Sequence, residues 1–404
     1  MSIFGGRAGT GSAWARALIF CIGLGLVVVL AGGVAARAQA LPQYKLDGNW
    51  PKPLPNNWIN SNFTGLVVDK NDHIWVMHRP NGVAADDAEA AATPPAAECC
   101  VPAPPILEFD AQGNLLKGWG GPKVSPDWPI LEQGLAIDKA GNFWVSGSFQ
   151  AGENPNAIKG LTGWMGPKPT KLLNDRQLLK ISPDGKQLLE IGHPANGPAN
   201  NQDISLLGLP ADIYVDDAAH EVYLADGYLD RRVVVYDSET GAFKRGWGAY
   251  GMALSEIDNG KAPAYDPATR SKQFGAIVAS VDMSKDGLVY VCDRVGDRVQ
   301  IFQKDGKFVK EYLVHPQTLN LGSCWSTAFS KDAKQKYLYV VDGENSVIWI
   351  LNREDGTEVG RIGHKGRMPG QFDSVKRIGF DSHGNLYAAE VNHNTRIQKF
   401  MPVK

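Results

Sequence analysis

One phrase occurs six times in this 404-residue chain and limits its fold more than any other feature. Each copy has an apolar, alternating strand ending near Asp or Ser, a turn, and a second strand of aromatic and Val residues. The copies begin at Gly65 (GLVVDKNDHIWVMHR), Gly134 (GLAIDKAGNFWVSGS), Ala211, Ala279, Ser326 and Arg377. Most lead into a third strand, a hairpin and a fourth strand, as in RVVVYDSETGAFKRGWG. Alternation with period two marks a half-buried strand, and Asp-Gly, Gln-Gly and Thr-Gly supply the positive-φ positions of tight hairpins. A four-stranded unit repeating every ~40–50 residues cannot bury both faces alone and must stack on its neighbours. The expected fold is therefore all-β: a six-bladed β-propeller of four-stranded antiparallel blades.

The sixth copy ends after RIQKFMPV with three strands, and QYKLDGNW at residues 43–50 reads like the missing outer strand. The N-terminal strand is expected to close the ring, which removes open sheet edges. Asp69, Asp138, Asp216, Asp282 and Asp381, with Ser330 in the fifth copy, are taken as one turn position and set the register. Extra chain enters at Asn81–Pro105, Phe149–Arg176 and Tyr250–Ser271. The first two insertions follow the second strand of a blade. Because strands alternate in direction, those insertions and the starts of the inner strands share one side of the disc, near the channel mouth. That side is the expected site.

Residues 1–40 read as a separate segment. Arg7 and Arg16 precede an apolar run from Ala17 to Ala36, and Ala38-Gln39-Ala40 has the form of a signal-peptidase site. The expectation is a signal peptide over 1–40, a propeller over 41–404, and a periplasmic or secreted location. An uncut membrane anchor is the alternative, and no later segment is apolar enough to span a bilayer. Formal charge is only −2, which gives no electrostatic reason to expect nucleic acid as partner.

The repeat phrases resemble the NHL-repeat family. Across most of residues 43–400 they look like the propeller of peptidyl-α-hydroxyglycine α-amidating lyase and its bacterial relatives, closest in ADGYLDRRVVVYDSETGAFKRGWG. The resemblance implies roles for Arg79 in VMHRP, Tyr228 in ADGY and Arg294 in VCDR, groups that surround the substrate hydroxyl and carbonyl in that family. It also implies three zinc-binding His at inner-strand starts, where this chain has Gln133, approximately Val278, and Lys376. Neither Val nor a protonated Lys ligates zinc, so no metal and no cofactor is expected.

Each candidate carries a structural alternative. Tyr228 is a general base or a rim aromatic. Arg79 and Arg294 bind an anion or form inter-blade ion pairs with Asp293, Asp297 or Asp226. Lys376 is a fixed cation at the site or a solvated surface charge. Gln133 and His78 complete the expected ligand-binding set, whereas His73, His220 and His383 read as turn residues. Outside the leader the Cys are 99, 100, 292 and 324. An even number in an exported chain points to disulfides. The repeat register brings Cys292 towards Cys324, and Cys99-Cys100 is left as a vicinal ring or a soft-metal site. Trp119-Gly120 and Trp247-Gly248 read as structural signatures of outer strands.

Three functions compete: an exported propeller binding a small anionic ligand or peptide at the channel mouth, a lyase-like enzyme with an altered metal site, and a protein-interaction scaffold. Whether the chain is an enzyme stays open at this level.

Overall fold

The computed structural model describes residues 41–148, 150, 172–262 and 264–403. Residues 1–40, expected as a signal peptide, and most of the second insertion lie outside the described residues. Six four-stranded antiparallel sheets follow one another along the chain. Their inner strands are Phe63–Val68, Glu132–Ile137, Pro210–Asp216, Val278–Met283, Ser326–Phe329 and Val375–Phe380, for blades 1 to 6. Each packs against the next in cyclic order, blade 6 returning to blade 1, so the six line a central channel. Among the described residues no helix is long and apolar enough to cross a membrane.

The N-terminal strand closes the ring. Tyr44–Leu46 pairs antiparallel with Ile397–Pro402, the third strand of blade 6, placing Tyr44 opposite Pro402 and Leu46 opposite Phe400. Trp50 follows it into the seam between blades 6 and 1, with ring centroids 5.0 Å from Tyr387 and 5.8 Å from Phe109.

The apolar core is divided into six wedges, one at every blade interface, as stacking of two-faced sheets requires. The Trp of the Trp-Gly phrases fill these wedges: Trp119 of blade 1 lies edge-on to Phe143 of blade 2 at 4.6 Å, and Trp247 of blade 3 reaches Phe302 of blade 4 at 5.8 Å. At the tight hairpin of blade 4, Gly306 has φ +89° and abuts the Trp247 ring, so both the turn and the close approach exclude a side chain.

One register assignment needs correction. The turn position held by Asp69, whose N–H bonds the His73 carbonyl, is held in blade 4 by Ser284, whose N–H bonds that of Leu288. Asp282 lies two residues earlier, opposite Tyr290 within the strand pair, and lines the channel with Asp212 and Arg377.

Five of the six inner strands share an irregularity. In blades 1, 2, 3, 4 and 6 the pairing with the second strand slips by one residue near the start. The extra residues are Thr64, Gln133, Ala211, Ala279 and Lys376. A bulge of this kind re-aims its side chain, and here the bulges ring one end of the channel.

Candidate functional site

The bulged end is where second strands finish and inner strands begin. Arg79 follows Ile74–His78 of blade 1, Tyr228 follows Glu221–Asp226 of blade 3, and Arg294 follows Val289–Asp293 of blade 4. Blade 6 contributes Lys376, and blade 2 contributes Gln133.

Arg79 is held by neutral acceptors. Its Nε donates to the Glu132 carbonyl at 2.9 Å, and its Nη2 donates to Gln133 Oε1 at 2.5 Å and Ser148 Oγ at 2.8 Å. Gln133 in turn donates to the Ala211 carbonyl of blade 3 at 3.3 Å. None of these acceptors carries a counter-charge. Its neighbour Glu132 does not supply the counter-charge, because burial pushes that carboxyl up to about 8 and keeps it protonated at neutral pH.

Arg294 is 8 % exposed, and its guanidinium lies over the Trp325 ring of blade 5, 4.7 Å from the centroid. Burial works against its charge, whereas Tyr228 beside it favours it. Its Nε is buried with no hydrogen-bond partner among the described residues.

Lys376 is 7 % exposed, so it is not a solvated surface charge. Burial, followed by the positive charges of Arg79, Arg377 and Arg294, pushes its ammonium well below the usual lysine range. Arg79 and Arg294 belong to opposite blades of the ring. Both are close enough to Lys376 to act on its charge. Asp212, the one carboxylate that favours Lys376 protonation, is already paired with Arg377 at 2.8 Å.

The structural alternative for the arginines fails on partner identity. Asp226 pairs with Arg232 at 2.9 Å and Asp293 with Arg298 at 2.8 Å. Asp297 accepts the Ser323 N–H at 2.7 Å. Among the described residues no ion pair involves Arg79, Arg294 or Lys376.

His78 is a correction. It is fully buried, its Nδ1 accepts the Ser61 N–H at 3.2 Å, and its Nε2 donates to the Pro104 carbonyl at 2.9 Å. Burial lowers its pKa to about 4, so the ring is neutral and has no nitrogen left for a ligand. It ties the first insertion to blade 1. His73, expected as a turn residue, forms a cluster with Asp69 and Glu108 at the other end of blade 1. That cluster is internally bonded: His73 Nδ1 lies 2.7 Å from Glu108, and Asp69 Oδ2 accepts the Trp75 indole N–H at 3.0 Å.

The register replaces Val278 with Ala279 as the residue equivalent to Gln133 and Lys376. The bulge set of Thr64, Gln133, Ala211, Ala279 and Lys376 holds no imidazole, thiolate or carboxylate. These residues do not fit the zinc that the family resemblance implies.

Cys292 is joined to Cys324, and Cys99 to Cys100. The first bridge ties blade 4 to blade 5 directly beneath the Arg294–Trp325 contact. Sequence reasoning missed Trp325, Ser148, Arg377 and the unpartnered Thr64 hydroxyl, because the bulge that groups them leaves no mark in residue type.

No family model matches the chain. It is 28% identical over 189 residues to rat peptidylglycine alpha-amidating monooxygenase, a match covering 45% of this chain and 14% of that protein. It is 21% identical over 316 residues to human NHL repeat-containing protein 3, covering 76% of this chain and 67% of the relative. This is an NHL-like six-bladed β-propeller. A crystal structure of a Bacteroides thetaiotaomicron protein of unknown function shares the fold, with TM-score 0.51 and 13% identity over 85% of this chain and 70% of that one. Virginiamycin B lyase from Staphylococcus aureus aligns with TM-score 0.46 and 12% identity, over 89% of each chain.

Proposed function

We propose that this propeller is exported and binds a small organic anion, or the terminal carboxylate of a peptide, at its bulged channel mouth. One observation carries the reading: Arg79, Arg294 and Lys376 converge there with no carboxylate paired to any of them among the described residues. Two guanidiniums stand without a paired carboxylate beside a lysine whose ammonium they disfavour, and a bound anion would supply the counter-charge. The buried, unpartnered Thr64 Oγ1 and Arg294 Nε are further polar groups for a ligand to satisfy. The two disulfides are compatible with an oxidising compartment.

Calorimetric titration with small carboxylates and with peptides bearing free or amidated C-termini tests this. Saturable binding that needs a free carboxylate, and that is lost on Arg79→Ala with Arg294→Ala, is expected. Binding that survives the double substitution removes the anion site. Likeness to a protein named an alpha-amidating monooxygenase favours a second reading, a lyase-like activity. Turnover of a peptidyl-α-hydroxyglycine that vanishes with Tyr228→Phe would establish it.

A further inference from the structure

Lys376 differs from every other cation of the mouth in lacking any hydrogen-bond acceptor for its side chain among the described residues. Arg79 has three acceptors, Arg377 has the Asp212 carboxylate and the Ala211 carbonyl, and Arg294 has the Tyr228 side chain and the Trp325 face. The Lys376 backbone, by contrast, is fixed: its carbonyl accepts the Ser326 hydroxyl of blade 5 at 2.7 Å, and the residue forms the bulge next to channel-lining Arg377. An ammonium left without acceptors here costs far more than a neutral amine does. A desolvated lysine flanked by cations is the arrangement that activates an amine as a nucleophile.

We propose that Lys376 forms a Schiff base with the carbonyl carbon of a small α-oxo acid, whose carboxylate is neutralised by Arg79 and Arg294. This rests on the anion-site reading and specifies the ligand class. The Lys376 nitrogen lone pair attacks the carbonyl carbon, the carbonyl π electrons move to oxygen, and oxygen gains a proton from solvent as nitrogen gives one up to it, leaving a carbinolamine. Loss of the hydroxyl group as water and of the nitrogen proton leaves a C=N bond, so amine and ketone give imine and one water with no redox change. The surrounding charge favours the reaction twice over. Burial, and after it the charges of Arg79, Arg377 and Arg294, disfavour the ammonium form before addition, and the two arginines without a carboxylate hold the acid group of the incoming molecule.

The test incubates the full chain with pyruvate and cyanoborohydride, which reduces an imine in place, and maps the product by peptide mass spectrometry. In parallel, calorimetry follows pyruvate and lactate, the second of which has no carbonyl to condense. The expected result is a carboxyethyl group on Lys376, labelled at least about tenfold faster at neutral pH than any exposed lysine, whose amine is almost wholly protonated there. Lys376→Met removes the amine and should abolish the adduct, whereas Arg79→Ala with Arg294→Ala should abolish lactate binding as well. Binding of both acids with labelling only at exposed lysines, or with equal labelling of Lys376 in unfolded protein, overturns the covalent step and leaves the anion site standing. Absence of both binding and adduct overturns both readings.

Discussion

Two sets of cations occupy this ring, and their surroundings are opposite. At the blade corners each guanidinium has its counter-charge built in. Arg232 pairs with Asp226 at 2.9 Å and Asp230 at 3.2 Å, and donates to the carbonyls of Asn201 and Leu206. Arg298 pairs with Asp293, and Arg396 with Glu390 at 2.6 Å. At the mouth, Arg79, Arg294 and Lys376 have no such partner among the described residues. The corner groups complete the fold with protein carboxylates, whereas the proposed anion would supply the counter-charge at the mouth.

Breaking a corner should have the largest effect. Arg232→Met leaves Asp226 and Asp230 buried without their cation, and a loss of about 3–5 kcal/mol in chemical unfolding is expected. A loss under about 1 kcal/mol would erase the distinction between corner and mouth.

The two disulfides sharpen the same contrast. Replacing Cys292 and Cys324 together by Ala opens a fully buried crosslink between blades 4 and 5. A destabilisation of about 2–4 kcal/mol is expected, with weaker anion binding as Trp325 loses its fixed place under Arg294. The Cys99 and Cys100 pair closes no chain loop, and its replacement should change stability by less than about 0.5 kcal/mol.

The channel interior supplies a pH test. Burial pushes Asp282 up to about 7, above its value in an unfolded chain. Below pH ~4 the carboxyl is protonated in both states, and stability is lost as pH rises towards 7 because the unfolded chain ionises first. Asp282→Asn should match the native chain at pH 4 and exceed it at pH 8 by about 1–3 kcal/mol. Equal stability at both pH values would mean that Asp282 is solvated in the channel.

The contrast also explains what could be read from residue order. The blades were legible because a strand with one buried and one shared face must alternate, and six copies repeat that pattern. The closing strand was legible because blade 6 visibly lacked a fourth strand. The mouth was legible only in part. Arg79, Tyr228, Arg294, Gln133 and Lys376 were named, but Lys376 reads as a surface group by residue type, and only the bulge turns it inwards. His78 was misread because its partners, Ser61 and Pro104, lie in irregular segments with no pattern. Asp282 was placed at the turn because the blade 4 strand carries an acid two residues before Ser284, and an Asp before a turn is the commoner arrangement.

The central claim is that the mouth cations serve a ligand and not the fold. The unfolding free energy of Lys376→Met, measured beside the native chain without ligand, tests it most directly. Methionine fills similar space without charge, so the account predicts stability unchanged or raised, within about 1 kcal/mol or above it. A loss of more than about 2 kcal/mol would show that Lys376 holds the ring together, as Arg232 does, and would contradict the account.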